Sequence, residues 1–384
     1  MTLPLPYLRK EKPAAGATLH SRKEVECMKR FAKGCLLLSA ILFLTGCHAD
    51  PVPETTAPTS CTVEETMAAA TEAATVPSET EPVEERFLLT FVGDCTFGAS
   101  PANYYAGEGF IKTMGEDYGY PFRNLIDYFR EDECSFINLE GPLTDVGNPV
   151  QKTHTFHGPS DYIRILTENS VEFASLANNH ALDYGQSGYD STVNLLQDAG
   201  IPYVERDAST VFITKNGLTI GVYGAVYYHL DMEDMVTEIT ALKDQGCDLV
   251  IYAPHWGVEK TNVQTAQQTE FAYAAIDAGA DIVWASHPHA LQPIEYYEDG
   301  VIFYSLGNFS FGGFTVPQDF DTALLQQEII RDGEGQISLG QLTIVPCCIS
   351  SIAGRNNYQP TPYAPETEDY SRVLEKLGVI DVAK

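Results

Sequence analysis

Cationic residues are scarce in this 384-residue chain: 23 Lys and Arg stand against 53 Asp and Glu, a formal net charge of −30. Residues 1–46 hold eight basic and three acidic residues, which leaves fifteen against fifty in the remainder, a charge of −35. A surface of that sign repels phosphate backbones and anionic membrane faces, which argues against a nucleic-acid partner. It also repels a polyanionic substrate unless metal ions reverse the field locally. No Cys-x-x-Cys pair occurs among the nine cysteines, and they make no framework. Cys95, Cys134, Cys247, Cys347 and Cys348 read as buried small hydrophobes, with a Cys95–Cys134 disulfide left open. The apolar run Gly34 to Phe43 falls well short of the roughly 20 residues that a membrane span needs. No repeat of solenoid period is present.

That short run lies in a recognisable leader. Met28-Lys29-Arg30-Phe31-Ala32-Lys33 is a positive n-region, Gly34 to Phe43 an h-region, and Leu44-Thr45-Gly46-Cys47 looks like a bacterial lipobox. The expectation is cleavage before Cys47 and a diacylglycerol on its sulfur. The protein would then be extracytoplasmic and held to the bacterial membrane by a lipid anchor alone. Residues 1–27 precede a natural start at Met28 and are read as an extra or mis-called start. Residues 48–86, rich in Thr, Glu, Ala and Pro without apolar period, read as a disordered acidic tether.

From Phe87 the pattern changes. Strand-like runs cover Phe87–Val92, Cys134–Asn138, Glu172–Ala177, Leu218–Gly224, Asp248–Ala253, Asp281–Ala285 and Val301–Ser305. Helix-like stretches cover Phe122–Arg130, Ser187–Ala199, Met232–Gln245 and Thr265–Ala278, with Gly200, Gly246 and Gly279 at helix ends. The alternation predicts an α/β domain over 87–384. Leu324–Ile330 and Gln336–Ile344 flank the hairpin signal Asp332-Gly333 and add antiparallel β, and a helix is expected near Tyr370–Leu377.

Five polar signatures follow apolar strand-like runs: Gly93-Asp94, Asn138-Leu139-Glu140-Gly141, Asn178-Asn179-His180, His255-Trp256-Gly257 and His287-Pro288-His289. Strands of a parallel or mixed sheet gather their C-terminal ends on one edge, where ligand sites form. One Asp, one Glu, one Asn and four His therefore meet. Carboxylate, amide oxygen and imidazole suit divalent Mn, Fe, Co or Zn. Two ions about 3.5–4 Å apart need a bridging carboxylate, and Glu140 is the natural bridge. Singly, Asp94 reads as a turn or cap and His255 as a core histidine; the set, and the His-x-His pair above all, reads as a site. Trp256, Tyr184, Phe309 and Phe311 flank it, with core packing as the default reading.

The order Gly-Asp, Asn-Leu-Glu, Asn-Asn-His-x-x-Asp-x-Gly, His-Trp-Gly and His-x-His, with Ser305-Leu306-Gly307-Asn308-Phe309, resembles the CapA family of bacterial capsule and poly-γ-glutamate synthesis proteins. That family is in turn similar to calcineurin-like metallophosphoesterases. The resemblance covers about residues 87–384 and implies two packed mixed β-sheets flanked by helices, a four-layer αββα sandwich. It implies one or two divalent ions (Mn, Fe or Zn). Asp94, Glu140 and His289 would hold one, and Glu140, Asn179, His255 and His287 the other. His180 would face the substrate as acid or oxyanion stabiliser, oriented by Asp183. Where metallophosphoesterases begin with Asp-x-His this chain has Asp94-Cys95-Thr96, which predicts a weaker first site; Glu140 replaces the usual bridging Asp with a longer arm. His154 and His157 fall where the family often has a basic residue, and both read as loop histidines, with His157 the nearer candidate for substrate contact.

Three functions remain. A surface metallohydrolase would cut a phosphoester or amide of an anionic envelope polymer. A non-hydrolytic capsule-assembly component would bind the polymer beside membrane synthesis partners. A solute-binding lipoprotein ranks last, having no need of four histidines and a bridging acid.

Overall fold

The computed structural model describes residues 2–3, 84–105 and 107–379. The leader 28–47 with Cys47, and the tether up to residue 83, lie outside the described residues. A nine-stranded sheet contains β1 (Thr2–Leu3), β2 (Glu85–Thr96), β3 (Cys134–Leu139), β4 (Phe173–Ser175) and β5 (Tyr203–Val204), together with β12 (Asn308–Phe311), β13 (Asp321–Arg331), β14 (Ile337–Cys348) and β15 (Thr361–Pro362). Its order is β1-β14-β13-β2-β3-β4-β5, with β12 beside β2 and β15 beside β14. The other sheet holds β6 (Ala208–Ile213), β7 (Thr219–Val226), β8 (Leu249–His255), β9 (Ile282–Trp284), β10 (Ile294–Tyr297) and β11 (Gly300–Phe303), in the order β10-β11-β9-β8-β7-β6. Both are mixed: β2-β3-β4-β5 and β7-β8-β9 run parallel, while β13 and β14 pair antiparallel, as do β6 and β7.

Period-2 alternation sorts the side chains into layers. Leu89, Phe91, Phe136 and Phe173 from one sheet meet Ile220, Val222, Ile251 and Trp284 from the other, making the central core. The opposite faces are covered by helices. Val92, Ile137 and Leu139 pack beneath α1 (Phe110–Met114), α2 (Ile126–Arg130), α3 (Ile163–Thr167) and α4 (Gly185–Ala199). Val250, Tyr252 and Val283 pack beneath α5 (Met232–Asp244) and α6 (Ala266–Asp277). The result is the four-layer αββα arrangement that the family resemblance implies. The remaining helix, α7 (Glu368–Lys376), packs Val373 and Leu374 into the central core. Among the described residues no helix is long and apolar enough to cross a membrane.

The cysteine question is answered by register. Cys95 pairs with Leu139 and Cys134 with Leu89, so the two cysteines sit six residues apart along β2 and five along β3, roughly 17–20 Å. Both are buried and free. The expected helix Phe122–Arg130 is broken: Tyr120–Phe122 forms a 3₁₀ turn, the Leu125 N–H donates to the Phe122 carbonyl, and α2 starts only at Ile126.

Candidate metal centre

The seven expected residues arrive from both sheets. Asp94 lies inside β2 rather than after it, because β2 continues to Thr96 by pairing with β12. That pairing requires Gly93: a Cβ there would lie 2.0 Å from the Gly307 carbonyl oxygen, while the Asp94 N–H donates to the same oxygen at 2.8 Å. Glu140 follows β3 directly, Asn179 and His180 leave β4, His255 closes β8, and His287 and His289 follow β9. His287 and His289 take φ values of +98° and +52°. Backbone held in that region by non-glycine residues is characteristic of functional sites.

The two proposed ligand sets are each brought together. In the first, His289 Nε2 lies 3.7 Å from Glu140 Oε1, and one donor atom from each of Asp94, Glu140 and His289 lies within 4.8 Å of the others. In the second, His255 Nε2 lies 3.0 Å from Asn179 Oδ1, 3.1 Å from His287 Nδ1 and 3.6 Å from Glu140 Oε1. Metal–ligand bonds of about 2.0–2.2 Å place neighbouring donors about 3.0–3.5 Å apart, a range that the Asn179 and His287 separations from His255 Nε2 meet and the Glu140 separations slightly exceed. The second cluster aims an imidazole nitrogen, an amide oxygen, a further imidazole nitrogen and a carboxylate oxygen at one place. These are lone-pair atoms with too few protons among them. Both oxygens of the fully buried Glu140 lack any hydrogen-bond partner. A buried carboxylate in that condition needs a cation, so the residues present fit a divalent metal.

Electrostatics agree. Burial pushes Glu140 up to about 8, with Asp94 adding to the rise and His289 opposing it. Burial, then the neighbouring imidazoles, holds His255 well below the ordinary histidine value, and His287 is lowered to about 4 for the same reasons. Both are therefore neutral near pH 7, the form that binds metal. His289 is raised to about 10 by Glu140 and Asp94 in spite of its burial. A cation would replace its proton as partner to those carboxylates.

Supporting bonds fix these donors. Asn138 Nδ2 donates to Asp94 Oδ1 at 2.8 Å, and Asn178 Nδ2 donates to Asn138 Oδ1 at 3.0 Å. Ser286 Oγ lies 2.8 Å from His255 Nδ1, and Asn308 Oδ1 lies 2.9 Å from His289 Nδ1. Such contacts orient imidazoles toward a metal.

His180 turns to Asp183. Its Nδ1 is 2.6 Å from Asp183 Oδ2, and Asp183 also accepts from the Phe156 N–H at 2.7 Å. Burial lowers the His180 pKa although Asp183 opposes the shift. The imidazole lines a cavity of about 300 Å³, shared with His289, Asn308, His154, Phe156 and Phe311. Of the two loop histidines, His154 reaches the cavity; His157 is sandwiched between Tyr104 and Tyr184, with ring centroids at 4.5 and 4.0 Å. Phe311 is cavity wall, while Trp256 and Phe309 are core.

Two residues escape the sequence reading. Lys152 Nζ donates to the Asn179 carbonyl at 2.8 Å and to Asp183 Oδ1 at 3.1 Å, tying the ligand loop to the dyad. Its signal is slight: it is the sole Lys or Arg between Arg130 and Arg164. Glu259, in the polar run after His-Trp-Gly, comes within ligand distance of His287 and His289.

Two mixed sheets between helices, with a carboxylate–imidazole cluster at their strand ends, define an α/β protein with a candidate metal centre. The chain matches the family described as Bacterial capsule synthesis protein PGA_cap over residues 88–313, and it belongs to that family. It is 30% identical over 322 residues to the Capsule biosynthesis protein CapA of Bacillus anthracis, covering 75% of this chain and 74% of that one. It is also 30% identical over 282 residues to the PGA biosynthesis protein CapA of Bacillus subtilis (strain 168), covering 66% and 71%. Among solved structures, the NAD nucleotidase (NadN) of Haemophilus influenzae aligns with a TM-score of 0.41 and 10% identity over 78% of this chain and 63% of that chain, a likeness too slight to assign fold or activity.

Proposed function

We propose that the chain is a metal-dependent hydrolase acting on a phosphoester or amide bond of an anionic capsule or envelope polymer of the poly-γ-glutamate kind. The observation that carries this reading is the buried Glu140 carboxylate, with no hydrogen-bond partner and two imidazoles and an Asp around it. When bound, divalent ions at such a centre supply an activated water and neutralise a developing oxyanion. The chain's own groups do the rest. Asp183 accepts from His180 Nδ1–H and would stabilise the imidazolium, whose Nε2–H would pass to the leaving group and leave the neutral imidazole behind. Lys152 holds Asp183 and the Asn179 carbonyl together. Phe156 and Phe311 give the cavity beside it an apolar wall.

The lipobox Leu44-Thr45-Gly46-Cys47 supports an extracytoplasmic protein anchored through Cys47, with residues 48–86 as its tether. The relatives' names favour a second reading, a non-hydrolytic component of capsule assembly. Metal analysis of the full chain separates the two when joined to turnover on a model phosphodiester and a γ-glutamyl amide. The hydrolase is expected to retain about one or two Mn, Fe or Zn ions per chain, to lose them in His255→Ala, and to cleave one substrate with metal added. Stoichiometric metal without turnover selects the assembly reading. No metal under any loading condition removes the centre altogether.

A further inference from the structure

The segment that follows β8 rises from His255 to the rim of the cavity, and it is anchored. The Lys260 N–H donates to the Pro288 carbonyl at 2.7 Å, and Gln292 Nε2 donates to the Thr261 carbonyl at 3.1 Å. Lys260 takes φ +64° in this arrangement, a left-handed conformation that a lysine adopts only where its surroundings hold it. The bond to Pro288 joins this segment directly to the loop that carries His287 and His289. It sets Glu259 over them: one Glu259 carboxylate oxygen and one nitrogen from each imidazole lie within 4.8 Å of one another. Among the described residues the Glu259 carboxylate has no hydrogen-bond or ion-pair partner, and it is exposed where His287 is buried.

Charge gives this placement a purpose. Asp94 and Glu140 are the two carboxylates among the strand-end donors, so two divalent ions would leave two positive charges uncompensated. A third carboxylate from the rim reduces that excess. An exposed carboxylate on the open side can also be exchanged for another anionic oxygen without disturbing the buried donors.

We propose that Glu259 is a further metal ligand of this centre, an inference that rests on the metal-dependent reading of the site. It would complete the coordination of the ion that His287 would help to hold when no substrate is bound, and it would give way to an anionic oxygen of the substrate.

The test is Mn²⁺ titration of the full chain, followed by the paramagnetic resonance of free Mn²⁺, and then titration of the Mn²⁺-loaded protein with inorganic phosphate. Glu259→Gln is expected to weaken Mn²⁺ binding by about tenfold or more. It is also expected to bind phosphate more tightly than the wild type, because no carboxylate has to be displaced. Glu259→Asp, which keeps the charge on a shorter arm, is expected to fall between them. Equal Mn²⁺ affinity in wild type and Glu259→Gln, with equal melting temperatures, overturns the ligand role. Weakened Mn²⁺ binding with unchanged phosphate affinity overturns the exchange. A wild type that binds no Mn²⁺ overturns the metal-dependent reading itself, an outcome distinct from a wild type that binds Mn²⁺ as well as its variant does.

Discussion

His180 and Asn179 are neighbours in sequence, yet their side chains turn to different partners. Asn179 turns its Oδ1 to His255 Nε2 among the metal-facing donors, whereas His180 turns its Nδ1 to Asp183 and lines the cavity. The division is enforced by Asn178, whose Oδ1 accepts the His180 N–H at 3.0 Å while its Nδ2 donates to Asn138 and to the Leu139 carbonyl. Removing the imidazole should therefore leave the ion and lose the proton transfer. His180→Ala is expected to keep the wild-type metal content and to cut turnover by about 10²–10⁴-fold. Parallel metal analysis and steady-state rates decide it: metal lost with activity would make His180 a ligand, and unimpaired turnover would remove it from the chemistry.

At the scale of elements, the centre depends on how closely β12 lies against β2. The Ser305-Leu306-Gly307-Asn308-Phe309 stretch carries Asn308 to His289, and Gly93 is the place where the two backbones nearly touch. Gly93→Ala would drive a methyl into the Gly307 carbonyl, which must shift, at a cost of about 1–3 kcal/mol or more. The expected result is a lower urea midpoint together with weaker metal binding, since Asp94 and Asn308 move apart; full stability with full metal affinity would contradict it. Much of this was legible in the residues. Strands buried on both faces, such as Cys134–Leu139 and Leu249–His255, announce themselves as short apolar runs, and α6 starts where Thr265 and Gln268 form a capping box. What escaped is small or half-exposed. β6 alternates between exposed and partly buried residues at a sheet edge, β10 and β12 have four residues each, and α1 and α3 have five. At the site, the strand-end donors could be read because each follows an apolar run. Lys152 and Glu259 could not, since loops bring them in and no period marks a loop residue.

Over the whole molecule, the strands that gather ligands at one edge leave a different group of acids at the other. Asp132 and Glu133 precede β3 and Glu172 precedes β4, so they lie at the end of the sheet opposite the metal centre. They carry no part of the proposed chemistry. Glu172 Oε2 accepts the Ser135 N–H at 2.9 Å, and Asp132 Oδ2 accepts from Ser135 Oγ at 2.6 Å. Burial raises Glu172 from the ordinary value to about 8, Asp132 adds to the rise, and Lys215 only partly offsets it. Burial likewise raises Asp132 to about 6. A carboxyl whose pKa is higher in the folded than in the unfolded chain holds its proton more tightly when folded. Its favourable contribution is complete below the unfolded value near 4.5 and is lost as pH rises toward 8. Glu172→Gln keeps an oxygen to accept the Ser135 N–H but removes the charge. Measured with chelator present, so that metal binding does not enter, its urea midpoint should lie close to that of the wild type at pH 5. It should pull ahead progressively through pH 7 to pH 9. The direction matters: a chain stabilised by ionised Glu172 would show the variant falling behind as pH rises, and a difference that does not change with pH would mean that burial does not perturb Glu172 at all.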